Sequence, residues 1–171
     1  MSTKNLLGTF VLAPITLALT GCANITGGGS IPAANDPTQK AIFGFVMHCR
    51  DTAAGAVVTG NLEYQDRTFA RTGPDGQQAE LRIHAEPIDA PFDGTCADSD
   101  TTFPGFMALT TGLYVPQPRT LGPGGTFVLL VEDNGQEGPG KVDKYSILLT
   151  GGIFDGYSNS GTLIGGQITK H

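Results

Sequence analysis

The chain has 171 residues, of which 25 are Gly, 11 are Pro and none is Trp, and its formal net charge is −6. Its apolar content excludes an acidic disordered tail, and its Gly residues lack the three-residue period of collagen. A composition rich in Gly and poor in charge argues against a helical bundle, and the lack of a basic patch argues against nucleic-acid binding. The length fits one domain.

The first 22 residues have the layout of an export signal. Lys4 precedes an apolar run from Leu6 to Leu19, which is shorter than the roughly 20 residues of a membrane-spanning helix. Leu19-Thr20-Gly21-Cys22 resembles the lipobox of bacterial lipoproteins. The resemblance implies that residues 1–21 are a signal peptide and that lipid on Cys22 anchors the protein in the membrane. The alternative is an ordinary signal peptide with an incidental cysteine.

The residues after the lipobox predict a location and a tether. Ala23 follows Cys22 where inner-membrane lipoproteins have Asp, and the resemblance to Gram-negative lipoproteins therefore implies the outer membrane of the cell envelope. Residues 22–40 are rich in Gly, Pro and Asn, which is typical of a flexible tether. We expect them to lift a β domain of residues 41–171 off the membrane, with 27–31 as a candidate first strand.

From residue 41 onward, apolar and polar residues alternate between turn signals. In 79–86 the residues Ala79, Leu81, Ile83 and Ala85 share one face, which indicates a half-buried strand. The predicted strands are 41–48, 57–65, 79–86, 105–115, 126–132, 143–149 and 162–169, with 67–72 as a segment that could pair with 57–65. Such spacing predicts an all-β domain, either a single antiparallel β-sandwich or a small β-barrel.

Two cysteines remain besides Cys22. Because export leads to an oxidising compartment, we expect a disulfide between Cys49 and Cys96. In the chain-entropy model, the loop that a disulfide between Cys49 and Cys96 closes gives about 4 kcal/mol of stability. Two free buried thiols are the alternative, and a metal site is disfavoured because no Cys-x-x-Cys or paired His spacing accompanies them.

Three stretches at the ends and late in the chain form a recognisable pattern. They are Gly27-Gly28-Gly29-Ser30-Ile31 with Phe43-Gly44-Phe45, residues 131–140 with Asp143-Lys144-Tyr145-Ser146-Ile147, and residues 161–168 followed by His171. Together they resemble the post-COAP family of small secreted bacterial domains. The resemblance implies an extracytoplasmic β module and by itself implies neither a catalytic activity nor a ligand.

Glycine clusters lie near both ends of the predicted domain. Gly27, Gly28 and Gly29 precede Ile31, and Gly165 and Gly166 precede Ile168. Glycine in a strand permits another backbone to approach closely and the strand to coil sharply. These clusters therefore predict that the first and last strands pair and close the domain.

Oxygen ligands are concentrated around an Asp-Asn-Gly turn. Asp133, Asn134, Glu137 and Asp143 are weak calcium candidates, since calcium takes six to eight oxygens from a flexible loop. A hairpin loop whose turn is made by Asp-Asn-Gly is the simpler interpretation. We expect no metal and no cofactor. Asp93, Asp98 and Asp100 surround Cys96, and a solvated loop held by the disulfide is the simpler interpretation of this group, with a calcium site as the alternative.

Other candidate site residues give weaker signals. His48, His84 and His171 lack a paired ligand spacing, so a zinc or copper site would need the fold to gather them. Tyr157 is either an exposed ring that stacks on a sugar or a loop tyrosine at the edge of the core. Without a nucleophile elbow, a zinc-protease motif or a phosphate-binding loop, the chain is not expected to be an enzyme.

The sequence thus predicts a membrane-anchored extracytoplasmic lipoprotein that acts as a noncatalytic protein-binding or envelope structural module. The alternative is a small-ligand carrier, a β-barrel lipoprotein that holds a hydrophobic or glycan ligand. A hydrolase is a third class, and it would need His and carboxylates clustered in a cleft. A continuous apolar pocket would favour the carrier, and a packed core with an exposed patch or free edge would favour the binding module.

Overall fold

The structure, a computed structural model, describes residues 24–87, 107–135 and 142–171. The chain is all-β, as predicted, and forms one antiparallel sheet that curls into a half-barrel, rather than the two facing sheets of a sandwich. The strands are β1 (Asn24–Pro32), β2 (Lys40–Thr52), β3 (Gly55–Thr72), β4 (Gln78–Pro87), β5 (Met107–Pro116), β6 (Gly125–Glu132), β7 (Lys144–Thr150), β8 (Ser158–Thr162) and β9 (Gly165–Lys170). A 3-10 turn, Arg119–Leu121, precedes β6.

The strands follow one another across the sheet until the last one returns to the first. Their order is β8-β7-β6-β5-β4-β3-β2-β1-β9. β1 and β9 pair antiparallel, with Gly27 opposite Ile168 and Gly29 opposite Gly166. The predicted pairing of the first and last strands is therefore confirmed. A Cβ on Gly29 would collide with the carbonyl oxygen of Gly165, which explains why this pair of strands needs glycine.

Two strand predictions are wrong in their division of the chain. Residues 57–65 and 67–72 do not pair with each other but belong to β3, and its pairing with β4 shifts register between Asp66 and Ala70. This irregularity interrupts the alternation that marks a strand in the sequence. The predicted strand 162–169 corresponds mainly to β9, but its first residue, Thr162, belongs to β8, a strand that was not predicted and that residues 163–164 join to β9. β8 reads Ser-Asn-Ser-Gly-Thr, so it has no apolar residue to reveal it.

The predicted tether is largely part of the domain. β1 begins at Asn24, and the loop after β1 is fixed to β3. The Ala34 N–H donates to the Asp66 carboxylate over 2.9 Å, and the Asn35 side-chain amide donates to the Thr68 carbonyl over 3.0 Å. The prediction of a flexible segment is therefore wrong for residues 24–40, because strand pairing and these hydrogen bonds order the backbone.

The concave side of the sheet is filled by apolar and aromatic side chains. Leu81, Ile83 and Ala85 of β4 are buried on one face, as the alternation predicts. The Phe43 and Tyr145 rings stack with centroids 4.0 Å apart, and the Tyr64 ring lies 5.8 Å from that of Tyr145. Aromatic pairs at such distances stabilise a core beyond their buried area. The fully buried large side chains are Tyr64, Tyr114, Tyr145, Tyr157, Phe127, Phe154, Ile31, Leu62, Leu81, Ile83, Leu129 and Leu149.

Candidate functional site

Asp133, Asn134 and Asp143, three of the predicted calcium candidates, lie between β6 and β7 in the chain and next to the edge of β9. Asp133 and Asp143 are 8% and 7% exposed. One oxygen of Asp143 accepts from the Ile168 N–H and the other from the Asn134 N–H, each over 2.8 Å. Asp133 likewise accepts from the N–H groups of Lys170 and Gly135 over 2.8 Å. We call these two carboxylates and the four N–H groups the carboxylate seam.

The carboxylate seam gives the Asp residues a structural role. The N–H groups of Ile168 and Lys170 belong to the edge of β9 that faces away from β1, where a strand normally exposes unpaired donors. Each carboxylate bonds one of these donors and also fixes the Asp-Asn-Gly turn. Glu137 lies outside the described residues. Within the described ranges, no group of three or more His, Cys, Asp or Glu could hold a metal ion.

The cysteines are described only in part. Cys49 on β2 is disulfide-bonded and lies beside Ala56 in a small apolar cluster with Val58. Its expected partner, Cys96, lies outside the described residues, as do Cys22 and the acidic residues around Cys96. The pairing of Cys49 with Cys96 and the lipidation of Cys22 stay predictions.

The histidines occupy two places. His48 and His171 lie near the start of β1, where the His48 ring bonds the Asn24 side chain over 2.9 Å and the His171 N–H donates to the Asn24 carbonyl. His84 lies on β4, and its two ring nitrogens contact Glu63 over 2.6 Å and Glu86 over 3.2 Å. The hydrogen bond that His84 donates to Glu63 is the largest influence, and together with Glu86 it raises the pKa of His84 above 6.5 despite partial burial.

Tyr157 is buried, so the interpretation of an exposed sugar-stacking ring is wrong. Its hydroxyl donates to the Asp66 carboxylate over 2.7 Å and lies 2.6 Å from the Tyr64 hydroxyl. The Asn159 amide donates to that Tyr64 hydroxyl over 3.0 Å. The ring faces Phe69 edge-on at 4.7 Å. Tyr157 therefore closes the edge of the core, which was the other interpretation of the sequence.

Asp66 is a buried carboxylate that sequence reasoning missed. Burial by itself raises its pKa, but hydrogen bonds from Thr68, Ala34 and Tyr157 together outweigh burial and lower the pKa below 3.8. The only signal in the sequence is an Asp at an inward position of a strand, between Tyr64 and the irregular residues that follow. Because its oxygens are used by the fold, Asp66 is a structural group.

The convex side of the sheet carries a different candidate site. A shallow hollow of about 390 Å³ lies over β2, β3 and β4. We call it the outer groove. Its lining residues are Ile42, Phe43, Gly44, Glu63, Tyr64, Gln65, Arg82, His84 and Gln117. The sequence placed Arg82 and His84 on the polar face of their strand, but nothing in it showed that Gly44 and Glu63 lie beside them.

A second hollow on the convex side has no charged side chain that is free to bind a ligand, among the described residues that line it. It has a volume of about 240 Å³ and lies over β6, β7 and β8. The charged groups that line it, Lys144 and Glu132, already form an ion pair with a distance of 2.8 Å. The outer groove is therefore the stronger candidate for binding.

Among residues 24–87, 107–135 and 142–171, no helix has the length and apolar character needed to span a membrane. A comparison of the chain with protein-family models, curated proteins and solved structures finds no match. The resemblances to bacterial lipoproteins and to the post-COAP family therefore stay predictions that depend on the residues that carry them.

Proposed function

We propose that this chain is a lipid-anchored, extracytoplasmic module of the bacterial cell envelope. Cys22 holds it in the membrane, with Ala23 favouring the outer membrane. It acts without catalysis, and its outer surface binds another envelope protein or contributes to envelope structure. The proposal keeps the resemblance to the post-COAP family, whose members are small secreted β modules.

The observation that favours binding on the outer surface over an enclosed ligand is the filled interior. Phe43, Tyr64 and Tyr145 stack on one another inside the curled sheet. A carrier needs an internal pocket of at least about 300 Å³ to enclose a small ligand. Aromatic rings take up the place where such a ligand would lie, so contacts on the outside of the sheet are favoured over the small-ligand carrier.

The start of β1 sets where the domain sits if Cys22 carries lipid. Asn24 is already paired with His48 across β1 and β2. Only Ala23 separates the lipid attachment point from this strand. The domain would therefore rest on the membrane surface, with the end that holds Asn24, His48 and His171 facing the headgroups.

Membrane fractionation and mass spectrometry of the chain expressed in a Gram-negative host test the anchor. We expect the wild-type chain in the outer-membrane fraction with a mass that fits removal of residues 1–21 and addition of acyl chains. A Cys22→Ser variant should lose the acyl mass. A wild-type chain with an unmodified Cys22 would contradict the anchor.

Crosslinking of the lipidated protein in its own membranes tests the binding role. We expect the same partner protein when residues 1–23 are exchanged for another lipoprotein signal, because the domain makes the contact. Native mass spectrometry that finds a small molecule enclosed in the purified protein would favour the carrier instead.

A further inference from the structure

Two glycines on the convex side are not required by the fold. Gly28 of β1 and Gly44 of β2 lie directly opposite each other. Neither has a positive φ. A Cβ on Gly44 would meet nothing within 4 Å, and one on Gly28 would meet only the Phe43 carbonyl oxygen at 3.8 Å. Glycine in the interior of a strand is destabilising and often marks a place where another molecule approaches the backbone closely.

Two neighbouring glycines, in contrast, are required by the structure. A Cβ on Gly27 would lie 2.6 Å from the Phe45 ring. Gly60 has a φ of +143°, and a Cβ there would collide with the Val46 carbonyl oxygen. Packing or backbone conformation explains both of these residues, and neither explains Gly44.

The register of the sheet turns Gly44 into part of a groove. Gly28 pairs with Gly44, Gly44 with Glu63, and Glu63 with His84, so these residues form one row across β1 to β4. A second row lies next to the first. In it, Ile42 pairs with Gln65 and Gln65 with Arg82. Gln117 follows, and its N–H donates to the Arg82 carbonyl. With strands about 4.8 Å apart, the four-strand row spans about 14 Å.

Three polar side chains that line the outer groove are available to bond a ligand. In the part of the chain that the structure describes, the side chains of Gln65, Arg82 and Gln117 make no hydrogen bond or ion pair. Glu63 is charge-paired with His84 but keeps a second carboxylate oxygen. The groove thus offers donors and acceptors side by side, next to the apolar side chain of Ile42 and the bare backbone of Gly44.

This chemistry favours one class of ligand. Sugar hydroxyls donate and accept hydrogen bonds, so they match amide, guanidinium and carboxylate groups, and the C–H face of a sugar ring can pack on Ile42 and Gly44. An extended peptide gains no strand pairing here, because β2, β3 and β4 are internal strands whose backbone groups pair with their neighbours. An anionic ligand would meet Glu63 and Glu86 beside Arg82.

We propose that the outer groove binds a neutral glycan, laid across β2, β3 and β4 and contacted by Gly44, Gln65, Arg82 and Gln117. The inference extends the proposed noncatalytic function to a second class of partner. It does not depend on lipid at Cys22, and it adds a glycan contact to the protein contact proposed above.

Nuclear magnetic resonance titration of the purified full chain with chitotetraose, maltotetraose and cellotetraose tests the proposal. We expect at least one of these glycans to cause saturable shifts of the Gly44 and His84 amides. Gly44→Leu should weaken that binding at least tenfold, because the new side chain fills the groove without a clash inside the domain. Arg82→Ala should weaken it at least fivefold.

Matched variants separate groove binding from general effects. Gly165→Leu lies on the same convex side but outside the groove, with only the Ser30 hydroxyl at 3.5 Å from a Cβ. It and Arg119→Ala should change the affinity by less than twofold. The midpoint of thermal unfolding of Gly44→Leu, followed by circular dichroism, should be no lower than that of the wild-type chain, because Gly inside a strand is destabilising.

Several results would overturn the groove proposal. These are the absence of saturable shifts with all three glycans, equal binding by Gly44→Leu, and binding at these residues by an extended peptide but not by the glycans. Mass spectrometry of the glycan after incubation should find it intact. Cleavage would contradict the noncatalytic function while leaving the groove in place, so the two proposals can fail separately.

Discussion

The buried tyrosines have different roles in this core because their hydroxyls face different groups. Tyr157 donates to Asp66 and contacts Tyr64, and the Tyr114 hydroxyl donates to the Gly151 carbonyl over 2.5 Å. The Tyr145 hydroxyl is fully buried and has no hydrogen-bond partner among the described residues. Burial raises the pKa of all these phenols, with that of Tyr64 raised to about 12.

The contrast between Tyr145 and Tyr157 predicts opposite effects of the same substitution. Tyr145→Phe should leave stability unchanged or raise it by about 1 kcal/mol, because a buried hydroxyl without a partner costs free energy. Tyr157→Phe should destabilise the domain by about 2 kcal/mol, because Asp66 and Tyr64 each lose a partner. Urea unfolding followed by circular dichroism measures both. A larger loss in Tyr145→Phe than in Tyr157→Phe would contradict this assignment.

The pKa of His84 should depend on Glu63 and Glu86, the two glutamates that contact its ring. Its pKa is raised in the folded chain, so protonated His84 adds stability that is present below the unfolded pKa of 6.5 and is lost as pH rises through the folded pKa. A ring-proton titration should give a pKa above 6.5, and Glu63→Gln should lower that value. An unchanged His84 pKa in Glu63→Gln would contradict this prediction.

At the scale of elements, the carboxylate seam takes the place of a strand at the edge of β9. Backbone donors at a sheet edge are usually paired, covered or protected by charge. Here Asp133 and Asp143 accept from β9 and from the turn after β6, so the last strand is fixed to the far side of the half-barrel. The short link of 163–164 adds a bond from the Leu163 N–H to the Asp143 carbonyl.

Asp143→Asn should therefore destabilise the domain by about 2 kcal/mol. The side chain keeps its size, but one acceptor becomes a donor that faces an N–H group, and a buried donor is left without a partner. Hydrogen exchange at the Ile168 amide should become faster. Asp75→Asn, at an exposed turn, is the control and should change stability by no more than about 0.5 kcal/mol, because the Asn side-chain oxygen can still accept from the Gln77 N–H. Equal effects of the two variants would rule out the role of the seam.

At the scale of the whole molecule, the tyrosines should limit stability at high pH. The chain has four tyrosines, and all have raised pKa values in the fold. The unfolded chain releases these protons near pH 10, so stability is full below pH 10 and falls as pH rises above it. Absorbance of tyrosinate should stay low near pH 10 and rise together with unfolding. Ionisation of several tyrosines near pH 10 in a folded chain would contradict this prediction.

Much of the fold could be predicted from the sequence, because alternation in strands such as 79–86 follows directly from burial on one face. The pairing of β1 with β9 could also be predicted from the glycine clusters, in which Gly29 and Gly166 are the residues where a Cβ would collide with the opposite backbone. Prediction failed where local pattern carries no burial signal. β8 has no apolar residue. The irregularity after Asp66 interrupts the alternation within β3. The Gly and Pro residues in 24–40 are typical of a tether, and only the pairing of β1 with β2 and β9 shows that most of this segment is part of the sheet.

The sequence by itself determined the strand periodicity and the polar face that holds Arg82 and His84, and it predicts an export signal with a lipobox-like ending. These properties depend on residues close together in the chain. Only the tertiary structure decided that Asp143 bonds Ile168, that Tyr157 bonds Asp66, and that Gly44 lies beside Glu63. The physical reason is that strand register brings together residues far apart in the chain. A carboxylate or a glycine acquires its role from the groups that register places against it.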